Sequence, residues 1–325
     1  LELGATYGGN IISQAAHNPE ATFVGIELSQ DQVEKGNKII GDAKLDNVSL
    51  VQGDILNFDE SMGTFDYIIA HGFYSWISDE MKDKLLDIIF VSNIYCIGCG
   101  AIIDKSRKYS LCNDCMENMA WTSGKVCEQC GRTLGESRME KRCYFCRTTS
   151  HSYDRGYPCT SYHEREKKII SDLKAGKQAY IAEYLAEIIF DKLISCNALN
   201  DTEILMPVPA NAKNEKQRGF NQSELITRKV FEKCVENIRG LQYYNDVLHR
   251  DKKGVQMKGQ SSEERRMNIK GQILLSETKA HLVRGKTVLL IDDVYTTGAT
   301  VDECAKVLKS AGAIKVCFAG FAIGN

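Results

Sequence analysis

Thr287 to Thr300 reads TVLLIDDVYTTGAT: an apolar run, two carboxylates, and a turn of small and hydroxyl-bearing residues leading into a helical pattern that ends near Ala311. Val288 to Ile291 is continuously aliphatic, as expected of a strand covered on both faces in a parallel sheet. Ligands of such sheets lie at the carboxyl edge of the strands. Thr296, Thr297, Gly298, Ala299 and Thr300 then fall at a helix N-terminus, where backbone N–H groups and hydroxyls form an anion site suited to a phosphate monoester. Asp292 and Asp293, where the apolar run ends, fall where a sugar attached to that phosphate would lie. They can accept hydrogen bonds from its hydroxyls and, directly or through water, hold magnesium. Two acids after a strand can also simply cap the next helix, but strand, acid pair, threonine pair and glycine in this order favour the ligand reading.

Around this segment the chain divides by composition. Of 325 residues 43% are hydrophobic and 26% charged, within the range of soluble globular proteins. No apolar run approaches the roughly 18 residues of a membrane span, and no basic, apolar leader opens the sequence, so the expectation is a cytoplasmic protein without membrane insertion. The net charge of -2 conceals an asymmetry: residues 1–85 carry 14 Asp/Glu against 5 Lys and no Arg, the remainder 29 against 36 Lys/Arg. All 13 cysteines lie in the second part, beginning at Cys96.

Eight of these form four CxxC pairs, Cys96/Cys99, Cys112/Cys115, Cys127/Cys130 and Cys143/Cys146, separated by 12, 11 and 12 residues. A CxxC turn supplies two thiolates one ligand edge apart, and a second CxxC returned by a short hairpin closes a tetrahedral structural zinc site. The short separations favour two sequentially paired sites, with interleaved pairing as the alternative. A disulfide framework would call for an export signal, and a redox dithiol does not need four evenly spaced pairs. Lys105, Arg107 and Lys108 beside Tyr109, and Lys141, Arg142 and Arg147 around Tyr144 and Phe145, combine cations with stacking faces, a pattern that suits single-stranded nucleic acid. Nine Lys/Arg against six Asp/Glu between Cys96 and Ser150 are nearly cancelled by thiolates and zinc, so charge alone does not decide between that role and a scaffold.

The segment 287–300 resembles the signature of type I phosphoribosyltransferases. By that resemblance Asp292 and Asp293 contact the ribose of phosphoribosyl pyrophosphate, and Thr296 to Thr300 surround its 5′-phosphate. Met206-Pro207-Val208-Pro209 closes another strand, and KNEKQRGFNQ (213–222) forms a basic turn ahead of a helix over Ser223–Val235. Together with Gln256, Arg265, Asn268, Lys174 in DLKAGK and the four CxxC pairs, these residues are similar to the ComF family of competence-associated phosphoribosyltransferase-like proteins, from about Leu86 to Asn325. Displacing pyrophosphate from the anomeric carbon passes through an oxocarbenium-like state, needing placed charge rather than a covalent nucleophile. Lys216, Arg218 and Arg265 are the candidates for the pyrophosphate. The resemblance implies magnesium as cofactor and a link to DNA uptake, with single-stranded DNA and the competence machinery as partners.

At the other end, LELGATYGGN (1–10) reads as a strand end, a glycine-bearing turn and a helix; Phe23–Glu27 is a second strand ending in an acid, Val48–Val51 a third followed by Gly53-Asp54, and Phe65–Ala70 a fourth. With GGN after the first strand and DYIIAHGFYSW at the fourth, the segment resembles class I S-adenosylmethionine-dependent methyltransferases. That implies Glu2, Gly4 and Gly8 in the cofactor turn, Glu27 on the ribose hydroxyls, Asp54 near the adenine, and Tyr74 and Trp76 as walls. Thr6 stands where many relatives have a glycine. After a helix expected over Asp79–Ile88 no residues remain for strands five to seven, so weak or absent methyl transfer is expected.

The expected architecture is α/β: a partial Rossmann-like methyltransferase sheet at 1–88, a double zinc ribbon at 89–150, and a phosphoribosyltransferase-type parallel sheet at 151–325. The expected activity is phosphoribosyl transfer or binding. A methyltransferase in the N-terminal segment and a non-catalytic nucleic-acid-binding zinc adaptor are the rivals.

Overall fold

The structure, a computed structural model, describes residues 1–57, 65–72, 77–78, 81–82, 94–104, 106–135, 139–175, 178–211, 215–216, 220–235, 238–251 and 267–324. They belong to two compact units, Leu1–Ser92 and Asn93–Asn325.

In the first unit β1 (Glu2–Leu3), α1 (Gly9–His17), β2 (Phe23–Glu27), α2 (Gln30–Asp42) and β3 (Val48–Gln52) alternate as the sequence pattern predicts. The strands form a parallel sheet in the order β1-β2-β3. Ile11 and Ala15 of α1 and Val33, Gly36 and Ile40 of α2 recur at helical spacing and are buried. A Cβ on Gly36 would lie 2.1 Å from Leu50 Cδ1 and 2.8 Å from the Tyr7 carbonyl oxygen, so only glycine lets α2 approach the sheet this closely. The fourth strand expected over Phe65–Ala70 is reduced to one bridge, Ile69 beside Glu2, with Leu3 N–H donating to the Ile69 carbonyl at 2.8 Å. Tyr74, Trp76 and most of the expected helix at Asp79–Ile88 lie outside the described residues.

The second unit begins with the cysteine block, which carries two short helices, α3 (Asn113–Asn118) and α4 (Tyr144–Thr148). There follow β4 (Arg155–Ser161), α5 (Glu164–Lys174), α6 (Ile181–Ser195), β5 (Ile204–Pro207), α7 (Gln222–Val235), β6 (Gln242–Tyr243), β7 (Leu248–Arg250), β8 (Ile273–Leu275), β9 (Thr287–Tyr295), α8 (Ala299–Ser310) and β10 (Lys315–Ile323). Five strands make a parallel sheet in the order β4-β10-β9-β5-β6, and β7 pairs antiparallel with β8.

Each face of this sheet has its own core, and the two tetracysteine segments lie on opposite sides. Ile169, Leu173, Leu185, Ile189 and Ile226 from α5, α6 and α7 pack on one face with Cys96, Leu111 and Cys115 of the first ribbon. Val301, Ala305 and Leu308 of α8 pack on the other with Cys127, Cys130, Cys143 and Cys146 of the second. Burial on both faces explains the uninterrupted apolar runs of β9 and β10; each such side chain contributes about 1.5–3 kcal/mol. Helix α7 starts where Asn221 Oδ1 accepts the Ser223 N–H at 3.1 Å, an N-cap geometry. Glu166, buried in the first turn of α5, accepts from the Ala120 N–H at 2.9 Å and thereby ties the end of the first ribbon to the sheet domain.

One boundary differs from the sequence reading. Strand β9 does not stop at Ile291 but runs to Tyr295, because β10 offers paired partners as far as Ile323. Among the described residues no helix is long and apolar enough to cross a membrane.

Candidate functional site

The four CxxC pairs converge as two sequential sets, Cys96, Cys99, Cys112, Cys115 and Cys127, Cys130, Cys143, Cys146; within each, the ligand atoms lie within 4.8 Å of one another. The Cys99–Cys112 and Cys130–Cys143 sulfur separations are both 3.7 Å. Zinc–thiolate bonds of about 2.3 Å give a tetrahedron edge of roughly 3.8 Å, so the spacing fits zinc. The environment favours anionic sulfur: the N–H groups of Cys112 and Cys143 point at Cys96 Sγ and Cys127 Sγ, each at 3.3 Å. Burial pushes the Cys96 thiol up, but the N–H groups of Cys112, Cys99 and Gly98 outweigh it and bring it down to about 7. A Cβ on Gly98 would sit 2.8 Å from Cys115 Sγ, so the turn closes around the sulfurs only with glycine there. Both sets fit structural zinc ions.

The cation and aromatic clusters of the two ribbons have different fates. In the first, Lys108 pairs with Asp191 of α6 at 2.6 Å, and the Tyr109 hydroxyl donates to the same carboxylate at 2.7 Å. In the second, Tyr144 and Phe145 are 61% and 52% exposed, set edge to face at 5.8 Å, and the Arg132 guanidinium lies 5.3 Å from the Phe145 ring centre. Lys105 lies outside the described residues.

At the carboxyl edge of the main sheet, Asp292, Thr296, Thr297, Gly298, Ala299 and Thr300 line one cavity of about 240 Å³. Gly298 takes the left-handed conformation (φ 74°) at the start of α8, and the first helical N–H, that of Ala299, reaches the Thr297 hydroxyl only at 3.5 Å. The first-turn N–H groups of a helix lack intrahelical partners, so a helix start beside a cavity is chemically suited to an anion. Asp292 Oδ1 accepts from Ser223 Oγ at 2.7 Å, and the Lys174 ammonium lies 2.5 Å from Asp293 Oδ2. Burial and the neighbouring Asp293 charge push the Asp292 carboxyl up to about 7, against the opposing pull of Ser223 and Lys174. Burial disfavours the Lys174 cation, but Asp293 outweighs it and raises that group. Asp292 lines the cavity, whereas Asp293, buried and paired with Lys174, is not among its lining residues, so Asp292 is the acid placed to meet a cation there. Of the pyrophosphate candidates, Lys216 is exposed beyond β5, while Arg218 and Arg265, like Gln256, lie outside the described residues. Ser223 was not legible as a site residue, since a serine at a helix start reads first as a cap. Lys174 stood out only as part of DLKAGK; its carboxylate partner is 119 positions away in sequence.

In the first unit, Gly4, Glu27 and Asp54 gather at the carboxyl edge of three adjacent parallel strands. Gly8 is left-handed (φ 78°) at the start of α1. The buried Glu2 accepts from Asn10 Nδ2 at 3.0 Å. Glu27 accepts from the Thr6 and Ser29 N–H groups at 2.9 and 3.0 Å, and Asp54 from the Leu56 N–H at 3.0 Å.

The chain matches three family models in succession. Residues 1–90 match the methyltransferase domain family, residues 85–147 the double zinc ribbon domain and residues 228–322 the phosphoribosyl transferase domain. Competence protein F of Haemophilus influenzae is 26% identical over 71% of this chain and 97% of its own length. Over most of its length the chain is thus similar to a competence protein. Competence protein ComFC of Bacillus subtilis is 25% identical over 62% of the chain and 79% of its own length. This ComF-like region is preceded by the methyltransferase-like segment, for which an uncharacterized protein of Rickettsia prowazekii is 45% identical over 89 residues. The chain spans only 36% of that protein, and 16% of a second Rickettsia prowazekii protein that is 41% identical over 88 residues. The structure of PKMT2 from Rickettsia typhi in complex with AdoHcy is 45% identical, covering 27% of this chain and 17% of that one, with a TM-score of 0.26.

Proposed function

We propose that the ComF-like part binds phosphoribosyl pyrophosphate with magnesium and serves DNA uptake in the cytoplasm, with phosphoribosyl transfer as its chemistry. The observation that carries this reading is the cavity bounded by Asp292 and by the start of α8 at Thr296–Thr300. The 5′-phosphate would accept from the loop N–H groups and threonine hydroxyls, while Asp292 and Asp293 receive the ribose hydroxyls. Ser223 holds the Asp292 carboxylate in place, and Lys174 balances the charge of Asp293. Magnesium, carried by the acid pair and the diphosphate, would offset charge on the leaving pyrophosphate. Lys216, Arg218 and Arg265 are proposed to complete that offset. In this reading 89–150 is the ribbon domain and 151–325 the transferase domain.

The exposed Tyr144–Phe145 pair with Arg132 favours one addition, single-stranded DNA as a partner stacked on the second ribbon. For residues 1–88, the glycine turn and Glu27 favour S-adenosylmethionine binding through Glu2, Gly4, Gly8, Glu27 and Asp54. The main reading is tested by thermal shift of the whole chain with phosphoribosyl pyrophosphate and magnesium, ribose 5-phosphate, and inorganic phosphate. Stabilisation in that descending order is expected, and no shift with any of the three rejects it.

A further inference from the structure

The second tetracysteine centre and the proposed phosphate loop share one core, which the first centre does not enter. The contacts are continuous. Gln129, between the second-centre ligands Cys127 and Cys130, donates from Nε2 to the Tyr153 carbonyl at 2.6 Å, and its own carbonyl accepts from the Gly156 N–H at 2.8 Å. A Cβ on Gly156 would lie 2.8 Å from the Cys130 carbonyl oxygen and 2.3 Å from the Phe318 ring, so the centre, β4 and β10 are packed without slack. Phe318 stacks on Tyr295 with ring centres 4.5 Å apart and planes 9° from parallel, and Tyr153 stands edge-on to both. The Tyr153 and Tyr295 hydroxyls meet at 2.8 Å inside the core. A Cβ on Gly298 would lie 2.1 Å from the Tyr295 oxygen, so the tyrosine lies directly against the left-handed residue that opens α8. Alongside, the His151 ring Nδ1 lies 2.8 Å from Asp302 in the first turn of α8, and Asp302 also accepts from the Ser152 N–H at 2.9 Å.

We propose that the second centre holds the phosphate loop in its binding conformation through the Tyr153–Tyr295 hydroxyl pair, so that zinc there and a sugar phosphate at the loop reinforce one another, while the first centre has no such effect. Tyr153 and Tyr295 are positioning residues; neither is assigned a contact with the ligand. The physical basis is the close packing of the shared core: interiors transmit displacement because they have few voids to absorb it. A structural zinc centre folds with its metal, so losing the ion releases the Gln129–Tyr153 contact and with it the ring stack. Coupling between two binding sites is reciprocal, and typical values correspond to about 5–150-fold.

This inference rests on the sugar-phosphate reading. Its test uses the full chain loaded with two zinc ions and a zinc-selective chromogenic chelator, with and without phosphoribosyl pyrophosphate and magnesium. Calorimetric affinity for the same ligand is measured on the wild type, Tyr153→Phe and the matched control Tyr109→Phe, whose hydroxyl serves the first ribbon on the other face. Expected is ligand protection of one zinc equivalent of the two, by about tenfold, within that coupling range. Tyr153→Phe loses most of this protection, binds the ligand several-fold more weakly, and releases one zinc equivalent faster even without ligand; Tyr109→Phe keeps wild-type ligand affinity. Equal protection of both ions, protection of neither, or unchanged affinity in Tyr153→Phe overturns the coupling while leaving ligand binding intact. A wild-type chain that binds no phosphoribosyl pyrophosphate overturns the functional reading, and the coupling with it.

Discussion

Lys174, the last residue of α5, places its ammonium 2.5 Å from Asp293 Oδ2 on the central strand β9, and so sets a positive charge against one of two adjacent acids. The side chain of Asp293 is only 7% exposed, so this cation carries much of the cost of keeping two carboxylates side by side. Lys174→Met is therefore expected to lower stability by about 1–3 kcal/mol, between the values for exposed and buried pairs. Magnesium at millimolar concentration should restore more of the melting temperature in the variant than it adds to the wild type. Thermal unfolding with and without magnesium measures both.

Asp292 gives a pH dependence whose sign is fixed. Its carboxyl sits near 7 in the folded chain, raised by burial and by Asp293, against about 3.9 in an unfolded one. The folded state thus holds the proton more tightly, and this group's contribution to stability, full below about 4, is lost as pH rises through about 7. Asp292→Asn should remove that slope, so the variant gains on the wild type between pH 5 and pH 8 by roughly the linkage relation. Paired melting curves across that range test it; parallel curves would place the Asp292 carboxyl at its ordinary value.

Gly298→Ala should damage the loop in two ways. A non-glycine residue at φ 74° is strained by about 1–2 kcal/mol, and its Cβ would overlap the Tyr295 hydroxyl. Both a lower melting temperature and at least tenfold weaker ligand binding are expected. Wild-type binding in this variant would mean that the loop reaches its binding conformation by another path.

Elemental analysis should find two zinc equivalents per chain, and Cys146→Ser should retain one. Exhaustive chelation should melt both ribbons, since structural zinc contributes on the order of 10 kcal/mol per site to such folds. A fully folded, metal-free chain by circular dichroism would contradict the assignment.

On the second ribbon, Tyr144→Ala and Phe145→Ala should each weaken single-stranded oligonucleotide binding by about 1–3 kcal/mol, the usual worth of a stacked base, while leaving the melting temperature nearly unchanged because both rings are exposed. Fluorescence anisotropy at several salt concentrations checks this. Undiminished binding in the double variant would move the DNA elsewhere on the chain.

What was legible in the sequence follows a physical division. The cysteine spacings, the buried strand before Asp292 and the Phe23–Glu27 strand are local signals, because ligand geometry, two-sided burial and alternation of elements all leave marks within a few residues. The Asp292–Ser223 and Asp293–Lys174 contacts join residues 69 and 119 positions apart, and no local pattern reports them. The end of β9 differs from the local pattern for the same reason: Val294 and Tyr295 are strand residues because β10 pairs with them. Nor could the sequence separate the two ribbons. Lys108 with Tyr109 and Arg147 with Tyr144 look alike as text, yet the first pair is engaged with Asp191 while Tyr144 remains open to solvent.

The most direct measurement is isothermal titration of phosphoribosyl pyrophosphate with magnesium into the whole chain and into an Asp292→Asn/Asp293→Asn variant. Saturable heat from the wild type and a loss of at least tenfold in affinity in the variant are predicted. Equal affinity in the two proteins would contradict the site at the end of β9, and the absence of any heat in the wild type would contradict the ligand itself.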